Sequence, residues 1–151
     1  MQVLVAKKCG FCPGVRSAIS LAERVLSEES SVYCLGHIIH NEDVVNCLAN
    51  NGLETVDEIN EIDKGTVLIR SHGASPEIFK KLDDRGVRVV DATCVLVKKL
   101  QNEAIRLEKE GYKVIVVGDK DHPEVKAVVG CVENVKVVAG IDDLTKIPGD
   151  A

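Results

Sequence analysis

Six short runs rich in β-branched residues punctuate this chain: VLVA (3–6), SVYCLG (31–36), GTVLIRS (65–71), VRVVDA (87–92), KVIVVG (113–118) and VKVVAG (135–140). Between them apolar residues recur at helical spacing. The first helical stretch carries Val15, Ala18, Ile19, Ala22, Val25 and Leu26 on one side. A second begins near Asn41 and turns Val44, Val45, Cys47 and Leu48 to the core. A third opens with Ser75-Pro76-Glu77, a capping residue and a proline at the first helical position, and stops at Gly86. The fourth covers 95–110 and stops at Gly111; the fifth opens with His122-Pro123-Glu124. Strands that alternate with helices return to a sheet through crossovers. The expected fold is therefore α/β, with a parallel-rich sheet and helices on its faces.

The chain also repeats itself. Cys12 and Cys94, Gly36 and Gly118, His40 and His122, and Glu42 and Glu124 are each separated by 82 positions, without a gap. Both copies read Cys-x23-Gly-x3-His-x-Glu, each with a helix and a strand in between. A helix, a strand (LETV, VKVV) and an acidic turn ending in an apolar residue follow. A βαβ rhythm explains the elements but not the coincidence of reactive residue types, so the repeat reads as a duplication. It divides the chain into a first α/β lobe at 1–93 and a second at 94–151. In the first copy the acidic turn leads into a buried strand ending at His72. The equivalent of position 72 is 154, past Ala151. The second lobe is thus expected to be incomplete at its C-terminal end, and the chain to be the N-terminal part of a longer protein.

Of the 151 residues 45% are hydrophobic, enough for a real core, and the net charge is -5 with no tryptophan and only 3% aromatics. An acidic chain poor in stacking side chains disfavours nucleic acid and anionic membrane surfaces as partners. No basic leader precedes an apolar run and no stretch reaches the ~18 residues of a membrane span. Six cysteines without a secretion signal fit a reducing, cytoplasmic setting in which thiols serve as ligands, nucleophiles or core filler.

Cys12, His40, His72, Cys94 and His122 each follow a predicted strand, at the sheet edge where open α/β folds bind ligands. Helix N-termini there offer free N–H groups to phosphate, and histidines add donors. Cys34 and Cys47 read as core residues, and Cys131 stands at a helix end without a partner motif. Cys9 completes a C-x-x-C with Cys12 that would suit a dithiol, yet the repeat gives it no counterpart, because position 91 is Asp91. If each copy gives one thiolate to a shared centre, a third copy would complete three. Three thiolates on a four-iron cluster leave one iron open to substrate.

The stretches GFCPGV (10–15), HNEDVV (40–45), SHG (71–73), DATC (91–94) and HPEV (122–125) stand in an order and spacing that resemble the 4-hydroxy-3-methylbut-2-enyl diphosphate reductases, the IspH or LytB family. The resemblance runs along essentially the whole chain. It implies a pseudo-threefold, three-lobed iron–sulfur reductase of non-mevalonate isoprenoid biosynthesis, built of repeated parallel-sheet lobes around a [4Fe-4S] cluster. Cys12 and Cys94 would be two of its three cluster ligands, with the third beyond residue 151. His40, His72 and His122 would bind the substrate diphosphate, and Glu124 would deliver protons. A ferredoxin or flavodoxin would supply electrons one at a time. The products are isopentenyl and dimethylallyl diphosphates. Val95 and Asp121 stand where the family usually has proline and glycine, and neither Cys9 nor Glu42 receives a role. The 151 residues by themselves are expected to be inactive. Two other readings of the residues are a C-x-x-C thiol–disulfide oxidoreductase and a non-catalytic phosphate-binding module.

Overall fold

Helix α1 (Pro13–Glu28) starts where a proline supplies the first helical φ and Cys12 takes the N-cap position. The computed structural model describes residues 1–7 and 9–144. Along these run β1 (Val32–Leu35), α2 (Glu42–Asn50), β2 (Leu53–Val56), β3 (Thr66–Ile69), α3 (Pro76–Asp84), β4 (Arg88–Asp91), α4 (Val95–Lys109), β5 (Val114–Val117), α5 (Pro123–Val129), β6 (Val135–Val138) and α6 (Ile141–Leu144). Asn41 caps α2 through its side chain, which accepts from the Val44 N–H at 3.0 Å.

Every strand pair is parallel, as the alternation requires. One sheet has the order β2-β1-β3-β4; β5 and β6 form a second, two-stranded one. Central β3 is buried on both faces. Leu68 joins Ala18, Ala22 and Val25 of α1 and Leu48 of α2 on one side. Val67 and Ile69 join Leu82 of α3 on the other. A smaller core of Ala104, Val114 and Val128 seats α4 and α5 on the second sheet.

The repeat survives in three dimensions. Val32 pairs with Leu53 and Val114 with Val135, so both partners move by the same 82 positions and keep their register. α1 and α4 start 82 positions apart as well, each with a cysteine as N-cap. In the first sheet β1 has β3 on its other side. The positions equivalent to β3, 148–151, lie outside the described residues, and among the described residues β5 has only β6 beside it. Val117 is 79% exposed.

Two expectations fail. Residues 3–6 form no strand, and Val3, Leu4 and Val5 are exposed. Strand propensity has effect only where a sheet edge offers hydrogen-bond partners, and the segment lies along neither described sheet. Among the described residues no strand therefore precedes Cys12. Cys47 is exposed, not a core residue. The short α2 directs Leu48 and, less deeply, Val44 inward, and Cys47 is rotated about 100° from Leu48. Cys34 is fully buried as expected, and burial pushes its thiol up to about 12.

Candidate functional site

The loops that follow β1, β3 and β4 are stitched together by main-chain groups around Ser71. Its N–H and its hydroxyl both donate to the Ile38 carbonyl, at 3.1 and 2.9 Å. Its own carbonyl accepts from the Cys94 N–H at 2.9 Å. The Cys94 loop is braced by Asp91, which accepts from the Thr93 N–H at 2.9 Å and from the Thr93 hydroxyl, and which pairs with Lys98 at 2.6 Å. These contacts lower the Asp91 carboxyl although burial opposes them. Within SHG…DATC, the side chains of Ser71 and Asp91 thus satisfy a loop C=O and a loop N–H.

Cys12 and Cys94 face one another across Gly14. A Cβ built on Gly14 would lie 2.5 Å from Cys94 Sγ and 3.9 Å from Cys12 Sγ, so only glycine leaves room for both thiols. Neither thiol is spent on capping its helix. Each cysteine sits at the N-terminus of a long helix, beside its free backbone N–H groups. Among the described residues no three Cys, His, Asp or Glu side chains close on a point as a metal site by themselves. Two soft sulfur donors, open on one side, fit part of an iron–sulfur ligand set.

The three predicted histidines converge. The ring centres of His40 and His72 are 4.4 Å apart, and that of His122 is 5.7 Å from each. His72 is half-buried, and its Nδ1 is buried without a hydrogen-bond partner. Loss of solvent, then the neighbouring His40, Arg70 and His122, bring its pKa down to about 4. It is a neutral imidazole at physiological pH, with one buried nitrogen unmatched. His122 is the N-cap of α5 and its Nδ1 accepts from the Glu124 N–H at 3.2 Å. The neutral ring then carries its proton on Nε2 and is a donor there. Glu124 and His122 line one cavity of about 320 Å³ whose other walls are largely apolar, among them Leu100, Val117 and Val128.

Reading the sequence missed Arg70. Its guanidinium lies over Gly36, where a Cβ would come 2.5 Å from Nη1, and Gly36 has φ +71 besides. The only signal was a cation at the end of an otherwise apolar strand. Cys9 is exposed and lines a separate hollow with Lys7, Phe11 and Arg16; Glu42 stands exposed on the first turn of α2.

Residues 3–150 match the LytB protein family. The chain belongs to that family. A 4-hydroxy-3-methylbut-2-enyl diphosphate reductase of Alkaliphilus oremlandii is 39% identical over 151 residues, covering 98% of this LytB chain and 54% of the relative. The reductase of that name from Citrifermentans bemidjiense is 43% identical over 150 residues, with 98% and 53% covered. A solved (E)-4-hydroxy-3-methyl-but-2-enyl diphosphate reductase, described as the terminal enzyme of the non-mevalonate pathway, superposes with a TM-score of 0.83 at 41% identity. That superposition covers 95% of this chain and 53% of the other. An E-1-hydroxy-2-methyl-but-2-enyl-4-diphosphate reductase from Plasmodium falciparum gives 0.87 at 28% identity, covering 92% and 45%. The LytB chain therefore spans about half the length of the relatives it matches. The parallel α/β architecture expected from the strand–helix alternation is the one these reductases share. Family membership sets aside the thiol–disulfide and phosphate-module readings.

Proposed function

We propose that the chain supplies the first two lobes, 1–93 and 94–151, of a 4-hydroxy-3-methylbut-2-enyl diphosphate reductase. Cys12 and Cys94 hold a [4Fe-4S] cluster whose third cysteine comes from another part of the protein. His40, His72 and His122 bind the substrate diphosphate, and Glu124 carries the proton. The observation that carries this reading is the convergence on Gly14 of the thiols of two N-cap cysteines, in a chain that also gathers three imidazoles within 5.7 Å. The matching strand register of the two copies supports a repeated lobe, and the threefold arrangement rests on the family resemblance.

The reaction takes up two electrons and two protons, breaks the allylic C–O bond and releases the hydroxyl as water. When bound, the cluster supplies the electrons, delivered singly by a ferredoxin or flavodoxin, and a Lewis-acidic iron for the departing oxygen. The chain's own residues do the rest. His122 presents Nε2–H to a phosphate oxygen because its Nδ1 is held by the Glu124 N–H. His72, neutral in the empty site, offers the diphosphate a hydrogen bond. The same N–H link fixes the Glu124 backbone at the start of α5, and its side chain lines the cavity shared with His122, where it can hand a proton to bound substrate.

A reducing cytoplasm belongs to this reading, since it keeps all six unpaired cysteines as thiols. Among the described residues no helix is long and apolar enough to cross a membrane. The deciding experiment is anaerobic iron and sulfide analysis of the full-length protein, with its visible and electron paramagnetic resonance spectra. A protein that stays colourless after reconstitution refutes the proposal.

A further inference from the structure

His72 and His122 ride on different sheets. His72 follows β3 of the four-stranded sheet and His122 follows β5 of the two-stranded one, and among the described residues no strand pairing joins the two. Their 5.7 Å spacing is therefore set by contacts between layers. One residue touches both sides. Gln101 stands half-buried on α4, and its Nε2 donates to the Ala74 carbonyl at 3.2 Å and to the Ala127 carbonyl at 3.3 Å. A side-chain amide nitrogen has two hydrogens, and both are used. Ala74 is two residues past His72, and Ala127 is on α5, the helix that His122 caps.

The seam around these bonds is tight. Gly73 has φ +78, and a Cβ there would lie 3.1 Å from Thr93 Cγ2, 3.2 Å from Gln101 Nε2 and 3.4 Å from Val97 Cγ1. A side chain at Gly130, the C-cap of α5, would run into Ser75 Cβ. The His72 loop lies flat on α4 and abuts the end of α5, with the Gln101 amide as the polar clasp between them.

We propose that Gln101 is a positioning residue for the diphosphate: its amide clasps the His72 loop to α5 and so sets the spacing between His72 and His122. The inference rests on the diphosphate-binding role proposed for these histidines. Gln101 itself lies off the reacting centre.

The test uses the full-length protein and inorganic pyrophosphate as probe, titrated calorimetrically. Gln101→Met keeps the length and apolar contact of the side chain and removes both donors; Gln101→Leu serves if that variant does not fold. Pyrophosphate binding should weaken roughly tenfold, the effect of misplacing one charge-assisted hydrogen bond. KM should rise by a similar factor while kcat stays within about twofold. Gln101→Lys restores donors on a stem of similar reach and should recover most of the affinity. In ring NMR spectra the His72 titration of Gln101→Met should move from about 4 toward its ordinary 6.5 as the loop lifts from His122 and gains water. Unchanged pyrophosphate affinity and an unchanged His72 titration in a folded Gln101→Met protein overturn the inference and leave the functional reading intact. Failure of the wild-type protein to bind pyrophosphate overturns the functional reading instead.

Discussion

Replacing Gly14 by alanine separates the stability of this fold from its capacity to hold a metal centre. Gly14 lies in the first turn of α1 and is not among the positive-φ glycines, so alanine suits its backbone. Helical propensity alone favours the substitution by up to about 1 kcal/mol. Against this, the new Cβ would start 2.5 Å from Cys94 Sγ and 3.4 Å from Cys94 Cβ. An ordinary contact needs at least about 3.5 Å, so the sulfur must retreat by roughly 1 Å. A cysteine turns about a single bond, and leaving its present position costs about 0.5–1.5 kcal/mol. The two effects nearly cancel. Apo-protein melting should shift by no more than about 2–4 °C.

Ligand geometry is far less forgiving. Metal–ligand distances hold within about 0.2 Å, so a 1 Å retreat is about five times the tolerance. Gly14→Ala in the full-length protein should therefore melt like the parent and lose most of its iron and sulfide. The assay is a melting curve of the apo protein beside iron, sulfide and visible absorption after anaerobic reconstitution. Parental cluster content in the variant would show that the two thiols do not meet over Gly14 as ligands.

Three further outcomes are expected. Because the folded-state pKa of His72 is about 4, the unfolded chain binds a proton there between pH 6.5 and 4 that the folded chain refuses. That contribution is complete above pH 6.5 and is lost on acidification through this window, about 1–2 kcal/mol after allowing for partial exposure. Denaturant titrations at pH 7.5 and 4.5 should show His72→Gln losing less stability than the parent, and an equal loss in both would contradict it. Glu124→Gln should bind substrate in the full-length protein yet turn over at least about a hundredfold slower, because the amide keeps the shape and lacks the transferable proton; near-parental turnover would remove Glu124 from the proton path. Cys9→Ser should leave cluster content and activity nearly intact and Cys12→Ser should abolish both, so equal losses would mean that the C-x-x-C pair works as a unit.

Strand–helix alternation and the 82-residue repeat were legible because both are local. Runs such as VIVV and the caps before Pro13, Pro76 and Pro123 report backbone preferences that hold wherever the segment ends up. The repeat went further, since equal spacing of like residues carried over to equal pairing of Val32 with Leu53 and Val114 with Val135. The motif residues were nameable for the same reason. Other features needed the tertiary structure. VLVA has the composition of a strand but no sheet edge beside it, and Cys47 has apolar neighbours in sequence but points away from the core. The Cys94 thiol over Gly14, the guanidinium over Gly36 and the clasp of Gln101 each join residues more than twenty positions apart. Such contacts depend on how two sheets and the helices between them pack. A close approach between distant segments is a property of that packing, and no single segment carries it.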